Sequence, residues 1–369
     1  MSKPARNLLR FLCASALVVL MAATLNFIVD PLQLFRPARF YHAMYSNDSR
    51  MQNAGLIRSQ DFDAVFTGTS LAIHFRQSDI DRILGVRSVK LAMTGSNSHE
   101  QSFVLAAALD RHPRRIIWQM DDWIFSDAPE IDQDIYLPAG LYRRDPKSVA
   151  GYLFSGAMAR ESLWMLARSI PPLEKTVARL TSGILIKFPI ANADEINVLR
   201  PDVDVSEAYN AKKALAAFKR ATDPVRSRYL ASGYGYAAMV RNFERDAVEL
   251  IAKNPDVQFD IYFPPYSILQ WVAMRDASPA TLKIVYDFSA YISRRLTEFS
   301  NVRLHDFHEV REITHDLKNY ADMIHHSPGI DLKVLSLLRD GKYVVDRAAP
   351  TASLDRLKAQ VEAYRLEKP

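Results

Sequence analysis

The chain has 369 residues, of which 49% are hydrophobic and 24% charged, and a net charge of +5. This excludes a disordered or fibrous chain, and the length admits one large α/β domain with insertions or two domains. No basic block is interleaved with aromatic residues, so nucleic acid is not an expected partner. Cys13 is the only cysteine, which rules out intrachain disulfides, zinc-ribbon spacings and a thiol nucleophile beyond the N-terminal stretch.

Phe11 to Val29 reads FLCASALVVLMAATLNFIV, without a charge and with Asn26 as its most polar member. At about 1.5 Å per residue it spans roughly 28 Å, close to a hydrocarbon core. Lys3, Arg6 and Arg10 precede it. The positive-inside rule then expects a cytoplasmic N-terminus, an uncleaved signal anchor over residues 1–30 and the remainder, 31–369, outside the inner membrane. A cleaved signal peptide and a buried core helix are the competing readings.

Asp61 to Gly68 is an expected strand, ended by Gly68. Ser78 to Leu84 is an expected helix with Ser78 as its cap, and Ser88 to Thr94 a strand running into Gly95. Ser98 to Arg111 reads as a helix closed by Pro113, and Arg115 to Met120 as a third strand followed by Asp121 and Asp122. Strand, helix, strand, helix, strand at this spacing predicts a parallel sheet with crossover helices. Residues 127–223 break the rhythm and read as a mostly helical insertion, with a helix over 147–168. The segment is expected to act as a lid or substrate platform. The rhythm then returns: helix 238–253, strand 257–263, helix 278–299, strand 302–307, a loop carrying Asp322 and His325, and helix 330–338.

Ser70, the Thr94–Asn97 turn, Asp121-Asp122 and Pro264-Pro265-Tyr266 all follow expected strands. In an open parallel sheet that carboxyl edge holds the ligand crevice. Ser70 on a strand-to-helix turn is a weak nucleophile, or an ordinary N-cap serine. Asp322-x-x-His325 places a carboxylate beside an imidazole, as expected of one face of a helical turn; the alternative is a capping aspartate and a surface histidine. His326 lacks that spacing, and Glu312 with His315 reads as an exposed helix pair. Gly95 by its N–H and Asn97 by its amide are oxyanion candidates, against a plain turn. Asp121 and Asp122 are acceptors that would orient another group or bind substrate hydroxyls. No further ligand cluster joins them, so no metal is expected. Tyr136, Tyr142, Tyr262, Tyr266, Trp118 and Trp123 read as core or rim, or as sugar-stacking groups.

In these residues the chain resembles the SGNH (GDSL-like) hydrolase superfamily, and within it the membrane-anchored envelope members related to alginate O-acetylation and lipoteichoic-acid D-alanylation proteins. Gly68-Thr69-Ser70 matches the first block, with threonine in place of the usual aspartate. Gly95 matches the second block, and Asp322 with His325 the last. The third block, Gly-x-Asn-Asp in the superfamily, stands here as Trp118-Gln119-Met120-Asp121-Asp122, without its asparagine. The resemblance implies a three-layer α/β/α sandwich, a Ser70–His325–Asp322 triad and no cofactor. It also implies acyl chemistry, by an esterase or O-acetyltransferase, on an envelope or exported glycan, with a membrane protein as a possible acyl donor. A catalytically silent glycan-binding or scaffolding subunit is the alternative, and a purely structural anchored protein a third.

Overall fold

The computed structural model describes residues 2–41, 43–46, 48–126, 137–170, 194, 205–223 and 234–366. The chain is mixed α/β and mostly helical, around one sheet of five strands. These are β1 Ala64–Thr67, β2 Ser88–Lys90, β3 Arg115–Gln119, β4 Gln258–Phe263 and β5 Val302–Asp306. Their order is β2-β1-β3-β4-β5, and every neighbouring pair is parallel. Of the expected insertion, residues 127–136 (with Tyr136), 171–193 and 195–204 lie outside the described residues.

The chain divides into two compact units, Phe62–Asp132 with Asn197–Pro369, and Met1–Asp61 with Gln133–Ile196. The first holds the sheet. Its central strands are buried on both faces, so they read as apolar runs rather than as alternation. Phe66, Ile117 and Tyr262 pack against Ile80 of helix Gln77–Leu84 and Val334 and Leu335 of helix Pro328–Arg339. Trp118 faces the other way, and its indole N–H donates to Gln101 Oε1 of helix Ser98–Leu109 at 2.7 Å. The chain steps from β1 out to β2 and returns past β1 to β3. The strand order therefore reverses between β1 and β3, the point at whose carboxyl side open parallel sheets hold their ligands.

The expected strands and helices of this unit form within one to four residues of their expected ends. Helix Gln77–Leu84 starts one residue early, so Arg76 and not Ser78 holds the N-cap position. The 238–253 helix is Tyr236–Phe243 running through a π turn, Glu244–Val248, into Glu249–Ala252. Helices Ile268–Ala277 and Ala352–Ala363 were not anticipated. Ile268–Ala277 buries Trp271, Val272, Ala273 and Met274 in succession, so it carries no one-sided stripe to read.

In the other unit, helix Lys3–Val29 is long and apolar enough to cross a membrane, about 40 Å at 1.5 Å per residue. Leu8, Phe11, Leu17 and Leu20 are exposed along it, whereas Asn26 and Val29 are buried. The expected 147–168 helix is two, Pro146–Leu153 and Gly156–Arg168, the second capped by Ser155 Oγ accepting from Met158 N. Asn26 Nδ2 donates to the carbonyls of Leu153 and Ser155 at 2.8 and 3.0 Å, and Asn26 Oδ1 accepts from Ser162 Oγ at 2.9 Å.

Asp30 closes the long helix in a left-handed conformation, φ 53°. Its buried carboxylate accepts from the N–H groups of Leu34, Phe35 and Arg36 at 3.0, 2.7 and 3.1 Å and from Tyr152 Oη at 2.8 Å. Gly55 of helix Ser49–Ser59 passes the same turn so closely that a Cβ would lie 1.5 Å from the Leu32 carbonyl oxygen. A buried donor left without its acceptor costs about 1–3 kcal/mol. Asp30→Ala, which orphans four, is expected to lower the unfolding free energy of the full chain in detergent by about 3 kcal/mol. Tyr152→Phe, which spares the three backbone donors, should cost about 1 kcal/mol in the same denaturant titration.

Candidate active site

β1 ends at Thr67, and Gly68 turns the chain out of the sheet into the short helix Ser70–Ile73. Gly68 has φ 156°, and a Cβ there would meet Gln119 Oε1 at 2.5 Å and Gln119 Cβ at 2.7 Å. Glycine is required on both counts, because β3 runs directly alongside. The turn half-exposes Ser70 at the reversal of strand order.

The loop with Asp322 and His325 is not the helical turn expected from its spacing. It is a tight reversal closed by an antiparallel bridge between Tyr320 and His326, with Ala321 N donating to His325 O and Ser327 N to Asn319 O. Asp322 Oδ1 accepts from the N–H groups of Ile324 and His325, both at 2.8 Å, which fixes the carboxylate. Asp322 Oδ2 lies 2.7 Å from His325 Nδ1, and His325 Nε2 lies 2.9 Å from Ser70 Oγ. Ser70, His325 and Asp322, separated by up to 255 residues, thus form one continuous chain of hydrogen bonds.

The electrostatics fit that order. Burial pulls the His325 pKa down, but its hydrogen bond to Asp322 and the charges of Asp322 and Asp121 carry it above the ordinary histidine value. Burial raises Asp322, and the His325 bond and charge with the two backbone N–H groups outweigh that, leaving it below the ordinary carboxylate value. With the carboxylate on Nδ1, the neutral ring keeps its proton there and turns the Nε2 lone pair to Ser70. His74, whose ring centroid lies 6.4 Å from that of His325, is pushed by burial to about 3 and stays neutral beside it. His326 is buried against Phe75, with Nδ1 3.2 Å from Asp331. His315 meets Thr314 rather than Glu312, whose carboxylate takes the Tyr343 hydroxyl.

Beneath Ser70 lies a polar hub not anticipated from sequence. Asp121, fully buried, accepts from Thr69 Oγ1 at 2.7 Å, from Gln119 Nε2 at 2.6 Å and from Tyr266 Oη. Thr69 N–H donates to Gln119 Oε1 at 3.0 Å, which fixes the amide orientation. Of the two expected uses of Asp121, orienting another group and binding substrate hydroxyls, its contacts are of the first kind. Asp122 is also buried, with Oδ2 unpartnered among the described residues, and burial with the Asp121 charge pushes it up to about 7.

Asn97 caps helix Ser98–Leu109: its Oδ1 accepts from Glu100 N while Glu100 Oε2 accepts from Asn97 N. It takes the plain-turn alternative. Gly95 is exposed with φ 62°, and since Met93 N donates to Gly68 O, β2 leads past the nucleophile turn and delivers Gly95 two residues on. No hydrogen bond joins Gly95 or Asn97 to the Ser70–His325–Asp322 chain among the described residues. Trp118, Tyr262 and Tyr266 are core, and Tyr142 and Trp123 are half-buried. No cluster of three or more His, Cys, Asp or Glu is placed to hold a metal ion among the described residues.

No family model matches this chain, and no curated protein matches it significantly.

The two glycines of the site separate close packing from backbone conformation. Gly68→Ala is expected to cost about 3 kcal/mol, from overpacking against Gln119 plus a left-handed alanine. Gly95→Ala, with nothing within 4 Å of the added Cβ, should cost about 1 kcal/mol. Equal losses in chemical unfolding would refute the close-packing assignment.

Proposed function

We propose that this chain is a membrane-anchored serine acyl-transfer enzyme, an O-acyl esterase or O-acetyltransferase acting on an envelope or exported polysaccharide. The single observation that carries the reading is the Ser70–His325–Asp322 chain, with separations of 2.9 and 2.7 Å. The fold that belongs to this reading is the SGNH-like three-layer sandwich, and the parallel sheet with helices on both faces supports it.

In this mechanism Ser70 Oγ attacks the acyl carbonyl carbon while its proton passes to His325 Nε2. Asp322 holds the imidazolium that results. The backbone N–H groups of Ser70 and Gly95 face the developing oxyanion. Collapse breaks the bond to the leaving oxygen, which takes the proton from His325, and the acyl group stays on Ser70. An acceptor hydroxyl, from water or a sugar, then gives its proton to His325, attacks the ester and releases Ser70, which recovers the proton. The apolar helix Lys3–Val29 supports attachment to the inner membrane, with the sheet unit outside it.

A second reading, a silent glycan-binding subunit, draws on Gln119. The third block lacks the superfamily's asparagine, and the amide nearest to it in the chain, Gln119, has its carbonyl and its NH2 group both engaged beneath the turn.

A fluorophosphonate probe on the full chain in detergent tests the first reading. Labelling is expected in the wild type and is lost at least a hundredfold in Ser70→Ala and His325→Ala, both still folded. Labelling of a folded Ser70→Ala protein at the wild-type rate would sink the assignment. The base must be neutral to accept the proton, and its pKa is raised. The labelling rate should therefore rise with pH to a half-maximum above about 6.5, the ordinary histidine value. Asp322→Asn should move that half-maximum to lower pH and reduce the plateau.

A further inference from the structure

The polar hub under the nucleophile turn has geometry that neither the triad nor the packing of the sheet requires. Asp121 follows β3, Thr69 follows β1, and Tyr266 follows β4. Three strand ends thus converge on one buried carboxylate. Gln119 Nε2 can only donate, and its orientation is set by Thr69 N–H donating to its other end. Thr69 and Tyr266 bring hydroxyls to the two carboxylate oxygens. Burial raises Asp121 above the ordinary carboxylate value, and the three donors and the His325 charge work against it. All three bonds point at the carboxylate, the pairing by which a charge can persist in a buried place.

We infer that Asp121 is a positioning residue for the serine: through Thr69 it sets the turn that presents Ser70, and it places a second negative charge on the His325 side of the site. The inference rests on the serine chemistry proposed above. Asp322 touches His325 directly and orients it; Asp121 acts through the residue preceding the nucleophile and through its field. Among the described residues, Ser70 and His74 also face His325. Asp121 itself faces Asp122 and the tyrosines 234, 262 and 266. Burial carries all three tyrosines well above the ordinary tyrosine value, so they stay neutral, as does His74. Besides His325 itself, Asp122, pushed to about 7, is the neighbour of Asp121 among the described residues placed to titrate in the working range. It does not bond to Thr69 or His325 among the described residues.

The pH dependence of fluorophosphonate labelling separates positioning from mere stability. Asp121→Asn removes the charge and keeps the shape. Its labelling half-maximum is expected to move to lower pH, because His325 loses a charge that raises it, and its plateau to fall about tenfold. Asp122→Asn, which leaves the three donors of Asp121 in place, should leave the half-maximum within about 0.2 pH unit of wild type. Thr69→Val, which breaks the link but keeps the charge, should lower the plateau severalfold without moving the half-maximum, and it serves if Asp121→Asn does not fold. Wild-type labelling with an unmoved half-maximum in folded Asp121→Asn, or an undiminished plateau in Thr69→Val, overturns this inference and leaves the triad standing. No labelling of the folded wild type overturns both.

Discussion

A carboxylate taken out of water must be met by donors, and in this protein that requirement organises the site. Leaving a buried charge unpaired costs several kcal/mol. Asp121 is satisfied only when the ends of β1, β3 and β4 lie in one register, because its donors come from all three. The parallel sheet supplies that register, and the strand order reverses beside it. Ser70 emerges at that reversal, one residue beyond the threonine that the carboxylate holds.

The same device recurs in the other unit. Asp30 ends the apolar helix and gathers three backbone N–H groups and the Tyr152 hydroxyl. Asn26, one turn earlier, binds the carbonyls that end one helix and begin the approach to the next. At the end of a helix whose middle is apolar and exposed, these two buried polar residues tie the last turn to the helices beside it. Hydrogen bonds to a charge are stronger than neutral ones, so a single aspartate suffices to fix such a turn.

The loop of Asp322 and His325 shows how an expected contact arises from a conformation other than the one its spacing implies. Three residues separate Asp322 from His325, as on one turn of a helix. The chain instead doubles back through the Tyr320–His326 bridge, and Asp322 Oδ1 captures the N–H groups of residues 324 and 325. The side-chain contact is the same because both geometries bring residues i and i+3 together. Asn97 shows the opposite case: a polar residue at the carboxyl edge whose side chain is claimed by the nearest free helix N–H group.

What was legible in the sequence was local. Short apolar or alternating runs, several of them bounded by glycine or proline, located the strands, because burial and turn chemistry are written within a few residues of each other. The 3.6-residue period located the amphipathic helices, and the uncharged N-terminal stretch its long apolar helix. Ile268–Ala277 escaped because a helix buried all round has no period to show. Tyr266 and Asp121 are 145 residues apart, and Tyr152 and Asp30 are 122 apart. Nothing in either neighbourhood marks the partner. A hydroxyl aimed at a buried carboxylate is chosen by where folding brings it, and only the tertiary structure decides that.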